Sequence, residues 1–290
     1  MPKKIISLNE AQKDQITESL VKDLPGIEKK VFDEIMTVID TFNTDAGYFV
    51  QGVVSTDTLN QISTKINSIL QREGYIQSVN TFMRDLGKIT INTNTIMQLE
   101  GYSFQAVPVS EIEKKWANAT AESLLNSGIN DAFKTPILKI IDDSIQFGDS
   151  IATTRKTLEE FVMGGNDTSG KLSSYLTQTS RDAMSQMQGQ QMHSIAAEIG
   201  WSGLSYVGGL LKDSRGQCTH WIRDLNGFIP KEKLQDEISM AYKNQKAKLI
   251  TDNVHRWGGM MPNTTPDNFI IKRGGFNCTH SAIPKRKKNS

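Results

Sequence analysis

Gly200-Trp201-Ser202-Gly203-Leu204-Ser205-Tyr206-Val207-Gly208-Gly209-Leu210-Leu211 is the stretch at which this chain of 290 residues changes character. Before it, apolar residues recur every three or four positions, the spacing of one helical face. Within it, glycines mix with strand-forming residues and the helical period stops. The fold class read from this switch is a mainly α N-terminal region, a helical bundle or extended helices, followed by a small α+β C-terminal domain. The divisions fall at 1–165 for a helical docking or scaffold region, 166–200 for a long connecting helix, and 201–290 for the α+β domain with a basic tail.

Working back from the switch, 169–199 predicts the longest helix. Leu172, Leu176, Ala183, Met187, Ile195 and Ile199 share one side, and Gln178, Gln186, Gln188 and Gln190 fall on others. A glutamine-rich face without net charge suits a helix lying against protein; an ordinary solvated face is the alternative. Helices are also predicted over 150–163, ending at Gly164-Gly165, and within 129–147, where Pro136 suits a first turn. Ser110 with Glu113 is a capping box before a helix carrying Ile112, Trp116 and Leu124, and 101–108 is a turn. Ile76, Val79, Phe82 and Leu86 mark one stripe, Leu59, Ile62, Ile66 and Ile69 another, and Ile27, Val31, Ile35, Val38 and Phe42 a third, with a break over 44–52. Ser7 with Glu10 is a second capping box, opening a short helix that Pro25 and Gly26 stop.

Working forward, a charged turn at 212–216 leads to Cys218-Thr219-His220. Asn226-Gly227 is a tight-turn signal, Pro230 starts a helix to about residue 247, and 258–267 is a loop. A short strand is expected at 268–272, before Gly274-Gly275 and a second tripeptide, Cys278-Thr279-His280. These six positions hold both cysteines and two of the four histidines of the chain.

In extended segments, residues two apart face the same way, so Cys218 with His220 and Cys278 with His280 make two jaws. Two thiolates and two imidazoles complete a tetrahedral set for structural zinc, although one intervening residue is a tight spacing for a zinc jaw. Plain packing of the cysteines with backbone-bonded histidines, and a disulfide, are the competing readings. A nucleophilic use of Cys278 with His220 and Asp213 can be drawn on paper. Against it, Gly208-Gly209 and Gly274-Gly275 lack the spacing and the Lys-Ser/Thr of a phosphate loop. His255 is expected at the surface and His193 on a helix face. Asp213 and Arg215 flank a turn as a local ion pair or turn cap, a structural role.

A net charge of +1 argues against a dedicated electrostatic grip on DNA or anionic membrane. The basic run Lys285-Arg286-Lys287-Lys288 is either a solvated tail or a contact with nucleic acid or a partner's acidic rim. No stretch has the roughly 20 apolar residues of a membrane span, nor the apolar core of a signal peptide, so a soluble protein made in a cytoplasm is expected.

From the long helix onward the chain resembles the phage minor head proteins, the head-morphogenesis family also called Mu F-like. The residues that carry the resemblance, over about residues 170–284, are Thr179, Ser180 and Arg181 in the helix, Gly200-Trp201, and Asp213-Ser214-Arg215 with Cys218. Asn226-Gly227 follows, and then the run Arg273-Gly274-Gly275-Phe276-Asn277-Cys278-Thr279-His280 before Pro284. Thr219 and Thr279 depart from the family, many of whose members carry extra cysteines near the first site and an arginine in the closing motif. The resemblance implies a non-enzymatic virion protein. It would be made in the bacterial host cytoplasm, lie inside the capsid near the portal, and assist genome packaging, retention or ejection. It further implies that Asp213 and Arg215 order the loop carrying Cys218. The partners implied are the portal protein and the major capsid protein, met through apolar helix faces, with a DNA contact through the C-terminal tail. The reading from another class is a toxin-like or catalytic effector using the Cys/His cluster.

Overall fold

The computed structural model of the protein describes residues 2–99, 109–251, 255–276 and 278–286. A mainly helical region runs to residue 199, and a mixed α/β part with a small antiparallel sheet follows. The helical region comprises α1 (Pro2–Val21), α2 (Leu24–Ile39), the hairpin β1 (Thr44–Asp45) and β2 (Tyr48–Phe49), α3 (Thr56–Arg72), α4 (Tyr75–Leu99), α5 (Val109–Leu125), the single turn α6 (Ser127–Ile129), α7 (Thr135–Phe147), α8 (Ile151–Val162) and α9 (Lys171–Ile199). The mixed part holds β3 (Gly203–Val207), α10 (Gly216–Arg223), β4 (Phe228–Pro230), α11 (Leu234–Lys246), β5 (Ile250–Thr251), β6 (His255–Arg256), α12 (Phe269–Lys272) and β7 (Ser281–Lys285).

Helix starts correct the sequence reading in three places. Ser7 and Ser110 lie inside α1 and α5, so neither is the cap it was expected to be. Pro25 opens α2 within its first turn, where its missing N–H costs nothing, instead of stopping a helix. Ser55 and Ser150 do cap helices, each side chain accepting from the backbone N–H three residues on at 3.1 Å. The turn expected at 101–108 lies outside the described residues.

The chain forms two compact units. One comprises Ile16–Arg84 and Asn118–Ser180, and its helices α2, α3, α7 and α8 pack on one another. Ile27, Val31, Ile35 and Val38 of α2 and Ile62, Ile66 and Ile69 of α3 are buried, each stabilising by about 1.5–3 kcal/mol. Glu28 is buried among them, and its carboxylate accepts from the Ser173 N–H and hydroxyl, each at 2.8 Å. Buried polar groups need such partners.

The other unit comprises Met1–Gln15, Asp85–Ala117 and Arg181–Ser290. Its sheet has strand order β4-β3-β7, antiparallel throughout, with Gly203 opposite Pro230 on one side and Lys285 on the other. Pro230 and Pro284 both lie on outer strands, where a missing N–H leaves no central ladder broken. The core over the sheet joins Leu204, Tyr206, Trp221, Ile229, Phe269 and Ile283 to Met192, Ile195 and Ile199 of α9. Trp221 stands edge-on to both Tyr206 and Phe269, with ring centroids 5.1 Å apart in each pair. Asn226 (φ 51°) and Gly227 (φ 68°) are both left-handed, as a tight turn of this sequence requires, and the Phe228 N–H closes the turn on the Leu225 carbonyl at 3.0 Å.

The glutamine face of α9 is partly internal. Gln188 is buried and accepts from the ammonium of Lys13, itself buried, and Gln191 donates to Asn94 at 2.7 Å. The strand expected at 268–272 is instead the short helix α12, since a three-residue apolar run fits either periodicity. Asn268 holds the preceding turn, accepting from the Thr265 N–H at 2.8 Å. Part of the basic run is built in: Lys285 ends β7, and Arg286 donates to the Ile199 carbonyl at 2.8 Å, a favourable place for a cation at the end of α9. Lys287 and Lys288 lie outside the described residues.

Candidate metal centre

The two Cys-Thr-His segments adopt different backbones. Cys218-Thr219-His220 lies inside α10, and Cys278-Thr279-His280 is an irregular segment entering β7. On a helix, positions two apart diverge by about 200°, so the jaw expected from Cys218 and His220 cannot form. Cys218 turns inward, while His220 is held elsewhere, Nδ1 at 2.7 Å from Asp224 Oδ2 and Nε2 at 3.1 Å from Glu237 Oε2.

The other three residues meet. The Cys218 and Cys278 sulfurs are 4.0 Å apart, Cys278 Sγ is 3.7 Å from His280 Nδ1, and the ligand atoms of all three buried residues lie within 4.8 Å of one another. Around a tetrahedral zinc ion with bonds of about 2.3 Å to sulfur and 2.05 Å to nitrogen, the S···S and S···N edges are about 3.8 and 3.6 Å. Two edges of the group therefore already have the dimensions of such a site, and the three residues can hold a metal.

Cys218 comes from α10 and Cys278 and His280 from the segment entering β7, and neighbouring elements hold them in place. β3 supplies Tyr206, whose hydroxyl is 3.3 Å from both sulfurs and whose ring stacks on His280 at 5.2 Å with planes 11° apart. Gly274 presses on the pair: a Cβ there would stand 2.5 Å from the Tyr206 hydroxyl and 2.6 and 2.9 Å from the Cys218 and Cys278 sulfurs. Gly208 (φ 154°) similarly makes room for the His280 ring. Arg215, from the charged turn, donates to the Gly274 carbonyl at 3.1 Å and to the Phe276 carbonyl, tying the turn before α10 to the segment before Cys278. No ion pair joins Arg215 to Asp213, which sits on the exposed turn. Gln217 adds bonds to the Gly258 and Gly274 carbonyls at 2.7 and 3.0 Å. Arg273, buried at φ 50°, donates to the His280 carbonyl at 2.8 Å; its Nε and Nη2 have no partner among the described residues.

The two thiols are electrostatically unlike. Cys278 is held well below the ordinary thiol range by the hydrogen bond from Cys218, aided by His280 and Arg273 and opposed by burial. Cys218 is pushed up by sharing that bond and then by burial. Burial, followed by the two cysteines, keeps the Tyr206 phenol protonated. Thiolate is the form that binds metal or attacks an electrophile, so Cys278 is the primed member.

The remaining sequence candidates fall outside the trio. His255 was expected at the surface and is buried, Nδ1 2.7 Å from the Ser214 carbonyl, because β6 brings it under the charged turn. His193 is half-buried on α9. Asn226 and Gly227 shape the turn into β4, and Gly275 (φ 112°) packs against the Gly259 backbone. Tyr206 was missed as a site residue; the available signal was a tyrosine inside a glycine-rich apolar strand, where a buried hydroxyl needs a partner.

Among the described residues no helix is long and apolar enough to cross a membrane. No protein family, no curated protein and no solved structure matches the chain.

Proposed function

We propose that this chain is a phage minor head protein of the head-morphogenesis, Mu F-like, kind: a structural component inside the capsid near the portal that assists genome packaging, retention or delivery. The observation that supports it is the convergence of the resembling residues from Gly200 onward on one module. Trp201 leads into β3, Arg215 bonds the Gly274 and Phe276 carbonyls, Asn226-Gly227 turns into β4, and Cys218 meets Cys278. Residues tens of positions apart support one another in the order in which the resemblance reads them. The portal protein and the major capsid protein are the partners on this reading, with a DNA contact through Lys285, Arg286, Lys287 and Lys288. Particles purified from a lysate of the producing host, probed with an antibody to this chain, should carry it in a few copies, and cross-linking should join it to portal subunits. Its absence from both mature particles and empty precursors would refute the proposal.

Within the module, Cys218, Cys278 and His280 hold a zinc ion that ties α10 to the entry of β7, with His220 outside the ligand set. Elemental analysis of the purified chain should return one zinc per molecule. A second reading, a Cys/His effector, draws on the lowered thiol of Cys278 beside His280. An intact fold in Cys278→Ala together with lost toxicity on expression would favour it.

A further inference from the structure

The trio of ligands borders a cavity of about 180 Å³, and the composition of its wall carries the inference. Cys218, Cys278 and His280 all line it, so a metal bound to them faces the cavity rather than solid core. Both ring nitrogens of His220 are engaged by Asp224 and Glu237, and that residue is not part of the wall. Three protein ligands leave one corner of a tetrahedron to a group from outside the chain, the arrangement that distinguishes open zinc sites from closed ones.

The wall also selects the charge of that group. Arg181 and Arg215 line the cavity beside the ligands, and Asp213 is the one acidic residue of the wall, the ion pair of Arg181 being with Asp14. Arg181 pairs through Nη2 with Asp14 at 2.8 Å, while its buried Nε has no partner among the described residues. A buried donor without an acceptor is costly, and an anion that reached Arg181 Nε from the cavity would satisfy it.

We infer that the centre is an open metal site in which Cys218, Cys278 and His280 bind the ion and a small anion, entering through the cavity and selected by Arg181, completes the coordination. The inference rests on the metal reading above. The site would then exchange its fourth ligand without unfolding the module, because every protein ligand stays in place.

The test uses the full chain, stripped of metal by chelation and titrated with Co²⁺, whose visible spectrum reports thiolate ligation and coordination number, and then with azide as the anion. The expected result is one cobalt per chain with thiolate charge-transfer absorption, and d–d bands that azide displaces along a saturable curve. His220→Ala should bind cobalt within about twofold of the parent chain and respond to azide equally, since a residue outside the coordination shells contributes less than the ten- to hundredfold of even a supporting partner. Arg181→Gln should keep its cobalt affinity and need several-fold more azide. Cobalt bands that azide leaves unchanged, or a tenfold or greater loss of cobalt binding in His220→Ala, would overturn the open corner while leaving a metal centre in place. No cobalt uptake by the folded parent chain would overturn the metal centre and this inference together. An unchanged azide curve in Arg181→Gln would overturn the role of that residue.

Discussion

Gly274→Ala is the sharpest perturbation of the centre that adds no charge and removes no ligand. The new Cβ would stand 2.6 and 2.9 Å from the sulfurs of Cys218 and Cys278 and 2.5 Å from the Tyr206 hydroxyl, all inside the 3.0 Å below which something must shift. None of the three is the loose end of a flexible chain: the sulfurs sit on α10 and before β7, and the phenol is locked under His280. Overpacking of this kind costs about 1–3 kcal/mol. Three simultaneous overlaps argue for the upper end, offset by about 0.4–1 kcal/mol from the stiffer unfolded chain. At roughly 2–4 °C per kcal/mol for chains somewhat smaller than this one, a net loss of about 2 kcal/mol lowers the melting temperature by about 4–8 °C. Gly209→Ala, where nothing lies within 4 Å, is the matched control. Thermal melts of the two variants beside the parent, with thiol titration of the folded proteins, make the comparison. If Gly274→Ala melts within a degree of Gly209→Ala, the packing argument for the centre is wrong.

Three further outcomes follow from buried charge and from the link across the site. Burial raises the Glu28 carboxyl above its ordinary range, against the Ser173 bonds, so the folded chain keeps that proton longer as pH rises. Stability of the parent relative to Glu28→Gln should therefore fall as pH climbs from about 4.3, and denaturant titrations at several pH values that give a flat difference would refute it. Lys13 shows the opposite slope: burial, opposed by Glu10, lowers its ammonium pKa, so the folded chain sheds the proton first. Parent stability relative to Lys13→Met should rise with pH up to about 10.4, and melts over that range check it. Arg215→Lys loses the two-pronged grip on the Gly274 and Phe276 carbonyls and should cost about 1.5–3 kcal/mol, with faster hydrogen exchange of the 274–276 amides. Unchanged exchange there would show that the arginine does not tie the two segments.

Helical stripes were legible because burial repeats along them. Ile27, Val31, Ile35 and Val38 are one buried face of α2, and Leu172, Leu176, Met187 and Ile195 one buried face of α9. The change at Gly200 was legible because the glycine-rich run after it breaks the helical period, and β3 lies there. What sequence could not decide was backbone conformation over three or four residues. Cys218-Thr219-His220 and Cys278-Thr279-His280 are near copies, yet one winds as a helix and the other runs irregularly. Tertiary contacts chose between them: Trp221 had to reach the core, and that demand fixes the phase of α10. The same kind of ambiguity turned 268–272 into a helix and hid His255. The meeting of the sulfurs was visible only as a motif spacing, and the roles of Tyr206, Gly274 and Arg273 arise from segments that share no local pattern.

The order in which the sheet is assembled follows from its register. Gly203–Val207 takes Phe228–Pro230 as one neighbour soon after synthesis, but its other neighbour is Ser281–Lys285, which is made only after α10, α11 and the intervening loops. During that interval a nascent chain presents an unpaired backbone edge flanked by Leu204, Tyr206 and Val207, a template that another chain can extend. Polypeptides stopped short of Ser281 should therefore aggregate more than the chain that includes Ser281–Lys285, and crowding on a shared messenger would sharpen the difference.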